Sequence, residues 1–268
     1  MSPFFSQTPL PVPQERRAVL APLFIGMEET LIWSCLDGRM GAAWADSLDH
    51  PRAARIITAD FAFLAGDPSS PCAEALAGSL PESFRRFLLM VPCGKGWDVV
   101  IERVWQGRFR PTVRYAIRKE PDVFDRERLA GMAAQLPEGF RLAPIDEKLY
   151  HRLLEEDWSR DFCSHFASWS DYQSDGLGYI ALWQGEPVSG ASSYTVYNGG
   201  IEIEVDTRPD FRRRGLASAC CAQLILACLE RGKYPSWDAA NLSSVRLAEK
   251  LGYHFSHEYP TYELTIIG

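Results

Sequence analysis

The 268-residue sequence has no C-x-x-C pair among its cysteines and no His-rich ligand spacing, which removes the usual metal-binding patterns. Cys35, Cys72, Cys93, Cys163, Cys220, Cys221 and Cys228 make an odd count set inside helical and strand patterns, so we expect reduced, buried thiols and a cytoplasmic protein. No apolar stretch reaches membrane-spanning length, and Met1 to Pro13 shows no basic region followed by an apolar run, so neither a membrane partner nor a signal peptide is expected. Positive charge is in deficit. With 28 Lys and Arg against 35 Asp and Glu the net charge is −7, which argues against nucleic acid, whose phosphates need a broad basic surface, and fits neutral or cationic substrates. No internal repeat is visible, and Cys93-Gly94-Lys95-Gly96 lacks the Gly-x-x-x-x-Gly-Lys-Ser/Thr frame of a phosphate loop. Disorder is excluded by a composition of 46% hydrophobic and 24% charged residues.

What the sequence does have is concentrated between Ile201 and Ala217: Ile-Glu-Ile-Glu-Val-Asp-Thr-Arg-Pro-Asp-Phe-Arg-Arg-Arg-Gly-Leu-Ala. Apolar and acidic residues alternate from Ile201 to Asp206, the period-two pattern of a strand, with Ile201, Ile203 and Val205 on one face and Glu202, Glu204 and Asp206 on the other. Arg208-Pro209-Asp210 ends the strand, because proline fixes φ and donates nothing to a ladder. From Leu216 to about Arg231 apolar side chains recur at helical spacing, and Gly232 stops the helix. A strand feeding a helix through a glycine-bearing turn leaves N–H groups at the helix mouth without internal partners, which makes an anion cradle. Gly215 has no Cβ to hold a phosphate off, Ala217 is nearly as small, and Arg212, Arg213 and Arg214 supply positive charge.

Arg212, Gly215 and Ala217 stand in the register of the Arg/Gln-x-x-Gly-x-Gly/Ala pyrophosphate loop, and in this the chain resembles the GCN5-related N-acetyltransferases (GNAT). Asn241 to Tyr253, ending Lys250-Leu251-Gly252-Tyr253, resembles that family's second signature. Over its full length the chain resembles a two-domain branch that includes a self-resistance acetyltransferase for the antibiotic zwittermicin A, through Leu36-Asp37-Gly38-Arg39-Met40-Gly41 and Asp60-Phe61-Ala62-Phe63-Leu64-Ala65-Gly66. The resemblance implies acetyl-CoA as co-substrate and no metal. It places the pyrophosphate on N–H groups from Arg212 through Leu216 to Ala217, and lets the pantetheine arm pair like an added strand with Val205, Asp206 and Thr207. Asn241 and Ser244 match positions that touch the coenzyme, and Asn241 also reads as a helix N-cap.

Along the chain we expect a helix over Gln14 to Phe24, a hairpin of strands Thr30 to Cys35 and Gly41 to Asp46 turned at Asp37-Gly38, and one strand over Arg55 to Leu64. A helix over Cys72 to Leu80, a strand over Arg86 to Val91, a helix over Gly96 to Trp105 and a strand over Thr112 to Ile117 follow. The segment Arg118 to Gly139 reads as a linker, giving an N-terminal α/β domain over 1–136 and an acetyltransferase domain over 137–268. In the second, strands begin at Phe140, Gly178, Pro187, Ile201, Ser236 and Tyr262, with helices after Asp146, Gly215 and Asn241. The fold class is α/β, with mixed α+β sheets. The resemblance implies a C-terminal domain with a splayed, mostly antiparallel sheet, and the first half reads as a smaller, degenerate version of it.

An amine attacks a thioester only as the free base, and a lysine-like amine has a reference pKa of about 10.4, so a general base is required. Glu202 and Glu204 lie on the strand where the family often places one, and both are expected to be catalytic. Ala248 stands where many members carry a tyrosine that protonates the leaving thiolate, with Tyr253 and Tyr259 the nearest replacements in sequence. The leading expectation is acetyl transfer from acetyl-CoA to a primary amine of a small substrate by a monomer or homodimer; the alternative is a non-catalytic acyl-CoA-binding or sensing module.

Overall fold

A computed structural model of the chain describes residues 7–81 and 87–265. Two compact units emerge from its contacts, one of residues 1–114 with 258–268 and one of 115–257.

In the first unit β1 (Leu10–Val12) precedes 3-10 turns over Gln14–Phe24, α1 (Thr30–Leu36), β2 (Ala42–Ala45), β3 (Ala53–Thr58), β4 (Phe61–Gly66), α2 (Ala73–Gly78), β5 (Phe87–Cys93), α3 (Trp97–Val104) and the start of β6 (Phe109–Ile117). β1 to β4 pair antiparallel in order, β5 joins β4 in parallel, and the C-terminal strand pairs antiparallel with β5 from Tyr262 to Thr265. The expected hairpin across Asp37-Gly38 is corrected: Thr30–Leu36 is helical, and Asp37 N–H closes it on Trp33 O at 2.8 Å. Leu31, Ile32 and Cys35 are all buried, which is one face of a helix, so Asp37-Gly38 acts as a helix stop. Likewise Arg55 to Leu64 is two strands, because Ala59 adopts φ 53° and turns the chain between Thr58 and Phe61. Ala59 gives no turn signal in sequence.

The unit's core lies between these strands and the pair α2 and α3, where Ile57, Leu64, Leu76, Leu88, Met90 and Ile101 surround Trp97. Trp97 is fully buried and donates its indole N–H to Gly66 O at 3.1 Å. Arg55, only 1% exposed, donates to Leu76 O at 2.6 Å near the end of α2 and lies 4.5 Å from the Trp44 ring, so a buried cation is held by a carbonyl and an aromatic face.

The second unit contains the end of β6, α4 (Arg126–Ala134), β7 (Phe140–Pro144), α5 (Glu147–Leu153), α6 (Trp169–Asp175), β8 (Gly178–Trp183), β9 (Glu186–Tyr197), β10 (Gly200–Thr207), α7 (Leu216–Glu230), β11 (Tyr234–Ser236), β12 (Asp238–Ala239), α8 (Leu242–Leu251) and the start of β13 (Phe255–Thr265). Its sheet runs β11-β10-β9-β8-β7, antiparallel except where β11 joins β10 in parallel. The expected boundary at 136/137 lies inside this unit. The polar segment before it carries α4, capped by Asp125, which buries Leu129 and Ala133, packs on α7, and donates from Arg128 to Lys250 O at 2.8 Å. The strand expected over Ser236 to Ala240 is broken at Trp237 into β11 and β12, which pair with different partners, β10 and β6.

All seven cysteines are free and buried. Burial pushes the Cys35 thiol up to about 11 and those of Cys163, Cys220 and Cys228 up to about 12. Replacing Trp97 with alanine should lower the unfolding free energy by about 3–5 kcal/mol in a urea titration of the whole chain, the range for truncating a buried tryptophan.

Candidate functional site

The site is built where β10 leaves β11. Only Gly200, Ile201 and Glu202 pair with β11, opposite Tyr234, Pro235 and Ser236. Beyond Glu202 the described residues give β10 no partner on that side, while β9 stays paired along the other edge to Thr207. Trp237 enforces the parting, since after it the chain turns to β6. Arg208 N–H donates to Val188 O at 2.9 Å on the β9 side, so alternation directs the N–H of Thr207, and two residues earlier that of Val205, to the open side.

The connection to α7 is a tight one. A 3-10 turn over Pro209–Phe211 is stapled by a two-pronged Arg208–Asp210 pair, both contacts 2.8 Å, with the Phe211 ring beneath the Arg208 and Arg214 guanidinium groups at 4.5 and 5.0 Å. Arg213 and Gly215 adopt φ of 61° and 82°, and no side chain caps α7. A Cβ on Gly215 would meet nothing within 4 Å, so glycine is required here for its backbone conformation and leaves the helix mouth open. The first N–H groups of α7 are therefore presented without a competing cap.

β10, the turn and α8 together enclose a groove of ≈ 670 Å³. Ten of the eleven positions expected from the sequence to bind coenzyme line it: Val205, Asp206, Thr207, Arg212, Arg213, Gly215, Leu216, Ala217, Asn241 and Ser244. Arg214 does not, because its guanidinium is drawn back to Asp210 O at 3.1 Å. Asn241 caps α8 through its side-chain oxygen, which accepts from Ser244 N–H at 3.0 Å, and this leaves its amide N–H groups as donors. Ser244 Oγ accepts from the buried Trp237 indole at 3.0 Å. Ser218, Ser243 and Leu247 also line the groove and were missed; Ser218 follows the loop signature by one residue, Ser243 and Leu247 lie within the Asn241–Tyr253 signature, and that adjacency was the available signal.

Neither expected catalytic residue borders this groove. The bulge between β9 and β10 places its extra residue, Tyr194, on β9, so β10 alternates without interruption and Glu202, Glu204 and Asp206 share one face. That face lies beneath the turn Arg160–Phe162. Glu204 is opposite Ser192, whose hydroxyl donates to Phe162 O at 2.7 Å, and Asp206 is opposite Gly190, where a Cβ would come within 2.9 Å of the Phe162 ring. Glu202 is 4% exposed and Glu204 half-buried. Burial raises the Asp206 carboxyl above its ordinary value, opposed by the bond it accepts from Thr207 N–H at 2.6 Å and by Arg212, 3.7 Å away. Ala248 is buried on α8, and Tyr253 is sealed in, donating to Pro235 O at 2.5 Å, which removes it from the groove. His165 stacks edge-on with Tyr194, ring centroids 4.4 Å apart. Among the described residues no cluster of three His, Cys, Asp or Glu is arranged to hold a metal, and no helix is long and apolar enough to cross a membrane.

The family model for GNAT acetyltransferases matches residues 21–262, and the chain belongs to that family, an N-acetyltransferase with a two-domain GNAT fold. It is 30% identical over 241 residues to an uncharacterized N-acetyltransferase, YdfB, of Bacillus subtilis, covering 87% of this chain and 89% of that one. A solved GCN5-related N-acetyltransferase-like protein from Streptococcus suis is 42% identical, with a TM-score of 0.85 over 93% of this chain and 98% of that chain. A tandem GNAT protein from the clavulanic acid biosynthesis pathway, 13% identical with a TM-score of 0.56 over 97% and 98% of the two chains, shares the fold.

Removing the cation beside Asp206 has a defined consequence. In Arg212→Ala the Asp206 carboxyl should titrate at higher pH than in the parent protein, read from its carboxyl carbon shift by NMR; a shift to lower pH would contradict the assigned neighbour.

Proposed function

We propose that this acetyltransferase takes its acetyl group from acetyl-CoA and passes it directly to a primary amine of a small substrate. The observation that carries the reading is the uncapped mouth of α7 opening into the groove beside the free edge of β10. A diphosphate fits the mouth because the N–H groups from Arg212 to Ala217 and the exposed Arg212 and Arg213 meet it with positive charge, and Gly215 puts no atom in its way. The pantetheine arm fits the edge, where Val205 turns its backbone groups to the open side as a strand would, with Asp206 and Thr207 lining the groove beside it and Asn241 and Ser244 facing it from α8.

The thioester supplies the activated acetyl group. The residues supply position, charge and a proton acceptor. A backbone N–H on the open side of β10, that of Val205, is placed to stabilise negative charge on the thioester oxygen as the amine attacks. Glu202 or Glu204 takes the proton released from the amine nitrogen as the new C–N bond forms and the C–S bond breaks. With Ala248 in place of a tyrosine and Tyr253 committed to Pro235, the thiol leaves as the thiolate, whose reference pKa near 8.5 permits it. The seven free cysteines support a reducing compartment, the cytoplasm.

Calorimetry with acetyl-CoA should show binding by the parent protein and none by Gly215→Glu, with the far-UV spectrum unchanged. Undiminished affinity in Gly215→Glu would remove the proposed groove. With a panel of primary amines and a thiol-release assay, turnover should fall by 10²-fold or more in the Glu→Gln variant at the true base, Glu202 or Glu204, while coenzyme affinity is retained, the usual range for losing a general base being about 10²–10⁴-fold. Tight coenzyme binding with no transfer to any amine would favour a sensing module.

A further inference from the structure

Ser243 and Leu247 line the groove from α8 at a spacing of four residues, and Lys250 is the next position on that stripe of the helix. The Lys250 ammonium donates to Ser218 Oγ at 3.3 Å, and Ser218 lines the same groove from the first turn of α7. The two helices therefore meet, at the rim of the groove, through a cation and a hydroxyl. Lys250 is exposed and Ser218 half-buried, and among the described residues Lys250 makes no ion pair. Arg128 on α4 donates to Lys250 O at 2.8 Å, which fixes this end of α8 and brings a second cation beside it. In a chain of net charge −7, an unpaired cation at the rim of a groove leaves local positive charge uncompensated. The last carbonyls of α8, which would repel an anion, are covered: Gly252 N–H donates to Glu249 O at 3.1 Å, Tyr253 N–H to Ala248 O at 3.2 Å, and Arg128 to Lys250 O.

We infer that Lys250 and Ser218 form a second phosphate subsite of this groove, one that takes the phosphomonoester on the ribose 3′-oxygen of the coenzyme and so selects coenzyme A over its 3′-dephospho form. The inference rests on the acetyl-CoA reading above and deepens it by assigning the far end of the coenzyme to named residues. In the coenzyme a single ribose separates the 3′-phosphate from the diphosphate. In the chain Ser218 directly follows Ala217, so a diphosphate seated on the N–H groups from Arg212 to Ala217 brings the ribose alongside the first turn of α7. The donors match the group. An ammonium has three N–H donors, of which Ser218 takes one, and the Ser218 hydroxyl hydrogen then points away from the lysine. Two ammonium donors and one hydroxyl donor thus meet the three terminal oxygens of a phosphomonoester, with charge on both sides of each lysine contact. A lysine in the last turn of a helix also steadies the helix dipole, but that effect acts on the fold and is indifferent to what the ribose carries.

The test is calorimetry on the full chain with two ligands, acetyl-CoA and 3′-dephospho-acetyl-CoA. The parent should bind acetyl-CoA about five- to tenfold more tightly, the size of a charge-assisted contact reduced by exposure to solvent. Lys250→Met keeps the stem and removes the charge; it should bind the two ligands with equal affinity, and its affinity for the 3′-dephospho form should match the parent's. Lys250→Arg should retain the preference, and Ser218→Ala should shrink it by about two- to threefold. The far-UV spectrum should be the same for all four proteins. Equal binding of the two ligands by the parent overturns the inference and leaves the acetyl-CoA reading standing. So does a Lys250→Met variant that keeps the full preference, including one that loses affinity for both ligands alike, which is the mark of a role in the fold. A parent that binds neither ligand overturns the acetyl-CoA reading, and the inference falls with it.

Discussion

The structure of the second unit depends on a sheet that is paired at one end and open at the other. Three rungs tie β10 to β11, and then Trp237 sends the following strand to β6. A strand edge freed in this way keeps its backbone N–H and C=O groups facing outward in a row, and such groups, when removed from water, require partners. The opening therefore creates a demand for hydrogen bonds along an extended edge, and an extended, amide-bearing arm is the kind of ligand the proposed function puts there. The uncapped mouth of α7 adds a second demand a few residues further on, this time for negative charge. In the proposed function, binding consists in meeting two deficits that the fold leaves unmet.

The turn between them is rigid for identifiable reasons. Pro209 fixes one dihedral, the Arg208–Asp210 pair closes the bend, and Phe211 is buried with two guanidinium groups over its ring. Three of the charged side chains in this basic run, Arg208, Arg212 and Arg214, have structural duties, to Asp210, Thr207 O and Asp210 O respectively. Arg213, at positive φ, lines the groove. A stretch that reads in sequence as a uniform positive patch is thus divided between holding the bend and facing the groove.

The strand, turn and helix of this region were legible in sequence because three independent constraints coincide there: alternation over six residues, a proline stop and a glycine at a helix mouth. The same holds for α8, where Asn241 and Gly252 mark both ends. Legibility failed where one local signal carries two meanings. Asp37-Gly38 ends a helix as readily as it turns a hairpin, and only burial of Leu31, Ile32 and Cys35 together separates the cases. Ala59 takes a left-handed conformation with no side-chain reason, so the break in Arg55 to Leu64 leaves no trace in composition. That Thr195 and Ser236 stand across from Glu202 was invisible for another reason: it is a matter of strand register, and the Tyr194 bulge shifts that register by one.

An unpaired strand edge next to solvent is also a template on which another polypeptide can zip itself, the route by which many β-proteins clump. At the end of β10 that route is obstructed from within. Thr207 has its N–H taken by the Asp206 carboxylate and its C=O taken by Arg212 Nε at 3.1 Å, so the last rung offers an intruding backbone nothing to hold. The slot stays receptive to a slender ligand lying further in, while its rim is closed to foreign chains.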